Sequence, residues 1–175
     1  MPESFPWYEA VAGTEKLEQG DVVWGCPIVI PLLAPSPGAK LEADVHDYDV
    51  VVMSQSCDLQ YGKLDLVLVC PFWPLADFAD SNSLYRKAEN KEGLRRGYYP
   101  GYHLLNKCEL SRFETDLLVV DFRNVLGVPF DFLTGFAKRQ PSRIRLLPPY
   151  REHLSQAFAR FFMRVGLPVD IPSFT

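Results

Sequence analysis

Two apolar runs of strand length lie near the middle of the chain. Tyr48–Met53 and Leu64–Cys70 are rich in valine and leucine, and a polar stretch separates them. Continuous apolar runs need cover on both faces, so they predict two neighbouring central strands. Val22–Leu33, interrupted by Pro27, predicts an edge or bent strand. The acidic segment Leu41–Asp49 is expected to be exposed.

Shorter patterns follow. Pro71–Pro74 is expected to end the second central strand, because proline donates no hydrogen bond. Strands are predicted at His103–Asn106, Leu117–Val125 and Phe130–Phe136. Arg143–Leu147 alternates arginine with an apolar residue, which is the period of a half-buried strand.

Two helices complete the predicted order. Leu75–Gly97 has the composition of a surface insertion, with a weakly anchored helix near Ser83–Leu94. Residues 149–166 predict an amphipathic C-terminal helix, because their apolar positions recur at intervals of three and four. The sequence therefore predicts a single domain over residues 1–175. Its class is α+β and mainly β, with an inserted helix and a C-terminal helix.

Composition agrees with one globular domain. Of 175 residues, 47% are hydrophobic and 23% are charged, which excludes a disordered chain. No apolar stretch reaches the ~20 residues of a membrane span, and Met1–Ala10 lacks the pattern of a secretory signal. We therefore expect a cytoplasmic protein without a membrane partner.

The four cysteines lie far apart, without the paired spacing of zinc sites. They are expected to be free thiols, and no metal or cofactor is expected. They are Cys26, Cys57, Cys70 and Cys108.

Charge divides the chain into unequal halves. Residues 1–83 hold three lysines against 13 acidic residues, whereas residues 84–175 hold 15 basic residues against nine acidic ones. The second half is suited to a phosphate or an acidic partner. The alternative is that the two halves interleave and neutralise each other.

Three segments carry a resemblance to a known family. Gly20–Trp24 resembles the opening strand of the PemK/MazF family, which reads Gly-Asp, two hydrophobic residues and Trp. Val50–Ser54 resembles its second strand, and Leu66–Pro71 its third. The resemblance covers most of the chain outside a long first loop and Leu75–Gly97.

This resemblance implies a small SH3-like β-barrel with a single-stranded RNA substrate, a homodimer and a cognate antitoxin protein. A toxin-like or bacterial defence role follows from it. In that family, an arginine before the second strand and a threonine after the third carry cleavage. Here Tyr48 and Asp49 occupy the first place, and Phe72 and Trp73 the second. The resemblance therefore supports the fold more than the activity.

The turn after the first central strand, Ser54–Asp58, is the first candidate catalytic site. Its thiol, hydroxyl, amide and carboxylate groups belong to Cys57, Ser54, Gln55 and Asp58. In a cysteine-dependent enzyme, Cys57 would attack and Gln55 would hold the oxyanion. The candidate bases are His46, His103 and His153. The alternative is structural, with Ser54 and Asp58 capping the turn.

A basic set forms the second candidate site, for nucleic acid or another anion. Its residues are Arg86, Lys87, Lys91, Arg95, Arg96, Arg143, Arg145 and Arg151. Tyr98, Tyr99 and Tyr102 add rings of the kind that stack on single-stranded bases. A solvated charged face is the alternative, and pairing of Arg151 with a surface acid is another.

Three functions follow. The first is a PemK/MazF-like protein that binds or cleaves single-stranded nucleic acid. The second is a non-catalytic interaction module whose edge strands dock a partner protein. The third is the cysteine-dependent enzyme centred on Cys57.

Overall fold

The computed structural model describes residues 5–32, 38, 40 and 42–163. It contains eight strands, five α-helices and one 3₁₀ turn. The strands are β1 Tyr8–Ala12, β2 Val22–Pro31, β3 Ala43–Val52, β4 Leu66–Pro74, β5 Tyr102–Leu105, β6 Leu118–Asp121, β7 Leu126–Pro129 and β8 Ser142–Leu146. The helices are α1 Ser56–Gln60, α2 Leu75–Ser81, α3 Ala88–Arg95, α4 Phe130–Arg139 and α5 Tyr150–Phe162, and the 3₁₀ turn is Ser83–Arg86.

All strand pairs are antiparallel. One sheet has the order β2-β3-β4-β6-β5, with β7 also paired to β4, and β1 pairs with β8. The fold is therefore α+β, as predicted. Among the described residues, these pairings do not close into a barrel. No described helix has the length and apolarity needed to cross a membrane.

Strand β4 continues through the prolines that were expected to end it. Val69–Pro71 pairs with β3, and Phe72–Pro74 pairs with β6. Pro71 therefore lies where the strand changes partners, a place that tolerates a missing backbone donor.

The segment Phe130–Phe136 is helical, so its predicted strand is wrong. It belongs to α4, in which Leu133 and Ala137 are buried one turn apart. A spacing of four residues places both on one helical face, against the valines of β2, β3 and β4. Strands β1 and β7 were not predicted.

The inserted segment is anchored more firmly than expected. It folds as α2, the 3₁₀ turn and α3 rather than as one helix. Phe78, Tyr85 and Leu94 are buried with Tyr102 and Val119 in a separate hydrophobic cluster. This cluster fixes the end of α3 beside β5.

Helix α5 packs on the sheet, as its apolar pattern predicted. Leu154 is fully buried, and Phe158 contacts Phe122 edge to face at a centroid distance of 5.4 Å. The described helix ends at Phe162, and the predicted positions 164–166 lie outside the described residues. This packing also fixes the position of the other edge of α5, which does not carry Leu154 and lies above β5.

Candidate functional site

A polar cavity of about 360 Å³ lies between the end of α3, strand β5 and helix α5. Three arginines, two histidines and one glutamine supply its nitrogen-bearing side chains. They are Arg95, Arg96, Arg160, His103, His153 and Gln156.

Helix α5 supplies half of these groups from one edge. His153 and Arg160 are seven residues apart, which is almost two full turns, so they lie one above the other. Buried Leu154 fixes the rotation of the helix about its axis. The edge bearing His153 and Arg160 therefore faces the cavity.

His103 lies across the cavity on β5. Its ring stacks on Phe122 at a centroid distance of 6.1 Å and an interplanar angle of 20°. Burial, and secondarily the charge of His153, lower the pKa of His103 to about 4. The imidazole is therefore neutral near pH 7.

Glu92 holds the two arginines at the end of α3. Arg95 donates from Nε and Nη2 at 2.6 Å, and Arg96 donates from Nε at 2.6 Å. Hydrogen bonds from Arg95 and then Arg96 lower the pKa of Glu92 to about 2. Their guanidinium groups keep other N–H donors beyond these bonds.

The cavity and its immediate surroundings carry an excess of positive charge. The residues that line the cavity include three arginines and no carboxylate. Beside the cavity, the carboxylate of Glu92 pairs with Arg95 and Arg96. Guanidinium forks match the geometry of phosphate oxygens, and a neutral imidazole offers one donor and one acceptor nitrogen. Together these groups are suited to a phosphate ester.

The neutral state of His103 makes stability depend on pH. Its ordinary pKa is about 6.5, so between pH 6.5 and 4 the unfolded chain binds a proton that the folded chain excludes. We expect the free energy of unfolding to fall by on the order of 1–3 kcal/mol as pH drops through this window. Urea unfolding of the wild type and of His103→Gln measures the effect. An identical pH slope in both proteins would contradict it.

The turn Ser54–Asp58 lies on the other side of α5. The Ser54 hydroxyl accepts a hydrogen bond from the backbone N–H of Leu68 at 2.8 Å. Gln55 donates to Ser155 at 3.3 Å. Asp58 pairs with Lys63 at 3.9 Å. These contacts tie the turn to β4 and α5.

Cys57 is exposed, whereas Cys26, Cys70 and Cys108 are buried free thiols. A second cavity beside Cys57 is lined by side chains of the turn and of α5, and no histidine is among them. The candidate bases His103 and His153 line the first cavity instead. The described structure therefore does not pair Cys57 with an imidazole.

Arg143 is a structural residue, which corrects the prediction that it binds nucleic acid or another anion. Its side chain is fully buried, and it donates to Asp21 at 2.8 Å. Its remaining donors reach four backbone carbonyl groups. These belong to Ala12, Gly13, Glu15 and Lys16. All five guanidinium donors are engaged within the chain.

Arg145 and Arg151 are also held by acidic partners. Arg145 is 8% exposed and pairs with Asp21 and Glu18, so its predicted role in anion binding is corrected in the same way. Half-buried Arg151 pairs with Glu18 at 3.5 Å and with Glu152 at 3.1 Å. This agrees with the alternative prediction of an acidic partner for Arg151.

The rest of the basic set is divided. Arg95 and Arg96 line the cavity, whereas Arg86 donates to backbone carbonyls near the end of α2. Lys87 occupies the N-cap position of α3 without a capping side-chain hydrogen bond, and Lys91 lies within that helix, but neither lines the cavity.

The three tyrosines predicted to stack on bases differ in their exposure to solvent. Tyr102 is buried, and Tyr99 is half-buried with its hydroxyl bonded to Asn90. Tyr98 is 67% exposed and is hydrogen-bonded to Arg96. Only Tyr98 of the three offers an exposed ring for stacking.

Sequence reasoning missed Arg160 and the sharing of one cavity by His103 and His153. The spacing of His153 and Arg160 on a recognised helix was a usable signal. The sequence around His103 gave no indication that β5 lies beside α5, because these two elements meet only in the tertiary fold. The described residues contain no cluster of three or more potential metal ligands.

Comparison of the sequence with protein families and curated proteins identifies no relative. No family model matches the chain, and no curated protein matches it in sequence. The PemK/MazF resemblance stays a prediction, and functional inference rests on the geometry of the cavity.

Proposed function

We propose that this chain binds and cleaves single-stranded RNA in the cavity between β5 and α5, as a PemK/MazF-like protein with a toxin-like or defence role. The observation that supports this proposal is that two histidines and three arginines line one cavity. The proposal includes an SH3-like relationship of the fold and assembly as a homodimer.

Cleavage without a metal needs a proton acceptor, a proton donor and positive charge near phosphorus. Neutral His103 takes the proton of the 2′-hydroxyl as the 2′-oxygen attacks phosphorus. His153, which is open to solvent, gives a proton to the departing 5′-oxygen. The products are a 2′,3′-cyclic phosphate and a free 5′-hydroxyl, so atoms and charge balance.

The arginines stabilise the charge on phosphorus. Arg160 stands on the same helical edge as His153, and Arg95 and Arg96 approach from α3. A bound phosphate also favours the protonated form of His103, because an opposite charge raises the pKa of an imidazole. Phosphate binding and proton uptake are therefore coupled.

A single strand suits the site better than a duplex. Tyr98 is exposed and lies two residues after Arg96, which lines the cavity. An unpaired base stacks on such a ring, whereas a base within a duplex is already stacked.

The proposed chemistry occupies a different place from that of the PemK/MazF enzymes. Asp49, where that family has its arginine, accepts a hydrogen bond from the Gly25 N–H at 2.8 Å. Phe72, in the threonine region, is 2% exposed. These positions serve the fold here, so a shared activity requires a separate site.

Binding of a fluorescein-labelled single-stranded RNA at low salt tests the proposal. We expect Arg160→Ala to weaken binding roughly tenfold and to reduce the salt slope by about one, because one phosphate contact is lost. Arg139→Ala is the matched control, since Arg139 is an exposed arginine over Phe136 on α4. Absence of RNA binding and cleavage at low salt would overturn the proposal. Equal losses in the two variants would also contradict this site.

A further inference from the structure

The β2–β3 hairpin extends beyond the sheet that carries it. Strand β3 pairs with β2 from Val51 to Ala43, but it pairs with β4 only over Val50–Val52. Within the described part of the chain, residues 43–49 therefore have a strand on one side only. The other side of β3 is an open sheet edge.

The alternation of the ladder shows which backbone groups face this edge. Leu32 donates its N–H to the carbonyl of Glu42, and Val52 donates its N–H to the carbonyl of Asp21. Even-numbered residues of β3 thus direct their backbone groups toward the β2 side. In an antiparallel pair the intervening residues point away. Val45 and Asp47 therefore direct their N–H and C=O groups to the open side.

The opposite edge of the hairpin is blocked. Ile28 lies opposite His46, so Pro27, Val29 and Pro31 face away from β3. Two of these three residues are prolines and have no N–H to donate. Edge prolines prevent strand addition, which leaves β3 as the edge that accepts another strand.

Two exposed valines indicate that this hairpin is a binding surface. Val29 and Val45 are direct cross-strand partners, and each is 63% exposed. Their side chains lie on one face of the ribbon together with Asp47, while Asp44 lies on the other face. A strand added beside β3 would cover Val45 and extend this apolar pair.

The negative charge of this edge indicates which kind of partner binds to it. Residues 42–49 contain four carboxylates and no lysine or arginine. A second copy would place eight carboxylates at one small contact, and like charges across strands are destabilising. A basic segment instead gains from the same charges.

We propose that the Ala43–Asp47 edge binds an extended basic segment of a partner protein, which joins the sheet as an additional strand. The segment carries a β-branched apolar residue opposite Val45 and lysine or arginine opposite Asp44 and Asp47. Backbone hydrogen bonds supply affinity, and the alternating side chains supply selectivity. This site is separate from the RNA cavity, whose lining includes no hairpin residue.

A short threonine-rich peptide with Lys-Thr-Val-Lys at its centre is the probe. In ¹⁵N-HSQC titrations of the full chain, we expect saturable shifts at the amides of residues 43–47. Asp44→Lys/Asp47→Lys should weaken binding at least tenfold while RNA binding is retained. Asp77→Lys/Asp80→Lys, on exposed positions of α2, should leave peptide binding unchanged.

Three results would overturn this inference. They are the absence of saturable shifts, equal binding of the matching peptide with glutamate in place of lysine, and tight binding of a backbone N-methylated peptide. Sedimentation equilibrium adds a fourth, because a dimer that Asp44→Lys/Asp47→Lys dissociates would assign the edge to a second copy. Circular dichroism confirms that each variant is folded.

Discussion

His153→Ala should lower the rate of RNA cleavage by about 100-fold or more, because removal of a positioned proton donor typically costs that much. His153 is exposed on α5, so its loss leaves the packing of Leu154 intact. Single-turnover cleavage of a labelled single-stranded RNA measures the chemical step. RNA affinity should change much less, since the arginines remain.

Gln156→Ala is the matched control. Gln156 lines the same cavity from the same helix but carries no titratable group. We expect its cleavage rate to stay within about threefold of wild type. A pH–rate profile distinguishes His153 from Gln156 further. In this profile, His153→Ala should lose the limb that reports ionisation of the general acid, whereas Gln156→Ala should keep it. A His153→Ala rate within twofold of wild type would reject the proposed proton donor.

Asp21→Asn should reduce the free energy of unfolding by about 3–5 kcal/mol, because it leaves buried guanidinium charge without its main partner. The Asp21 carboxylate is fully buried and accepts hydrogen bonds from Arg143 and Arg145, and from the backbone N–H of Glu18. The asparagine is nearly isosteric, so the change removes charge rather than volume. Urea denaturation gives the free energy directly.

The control for this effect is Asp80→Asn. Asp80 pairs with Arg86 at 3.7 Å, but its side chain is 80% exposed. Exposed ion pairs contribute between zero and about 1 kcal/mol, so we expect a small change. Comparable losses in Asp21→Asn and Asp80→Asn would show that burial does not set the cost of removing the charge.

Sequence patterns predicted the fold best where burial was continuous. Val50–Val52 of β3 are buried on both faces, and such runs have few alternatives to a central strand. In β4, Val67 and Val69 are buried, whereas Leu66 and Leu68 on the other face are exposed. Phe130–Phe136 was misassigned because its aromatic residues favour strands, whereas tertiary packing of Leu133 selects the helix. Strand β1 was missed because its five residues pair only with β8, a partner that lies far along the chain.

The candidate site was predicted only in part. Arg95 and Arg96 were identified by local charge, which is visible in sequence. Arg143 was misplaced because alternation with Ile144 suggested an outward face, although Asp21 and backbone carbonyls make burial of the arginine possible. The grouping of His103 with His153 depends on how α5 crosses β5, and no local pattern encodes that contact.

The bond from Arg143 to the Gly13 carbonyl spans 130 residues, and it has a consequence for synthesis of the protein. A nascent chain cannot form it until β8 has left the ribosome. Helix α5, which carries His153, emerges later still. A growing chain therefore contains β2 and β3 well before the cavity between β5 and α5 is complete. On the function proposed above, RNA cleavage would therefore begin only after α5 has been synthesised.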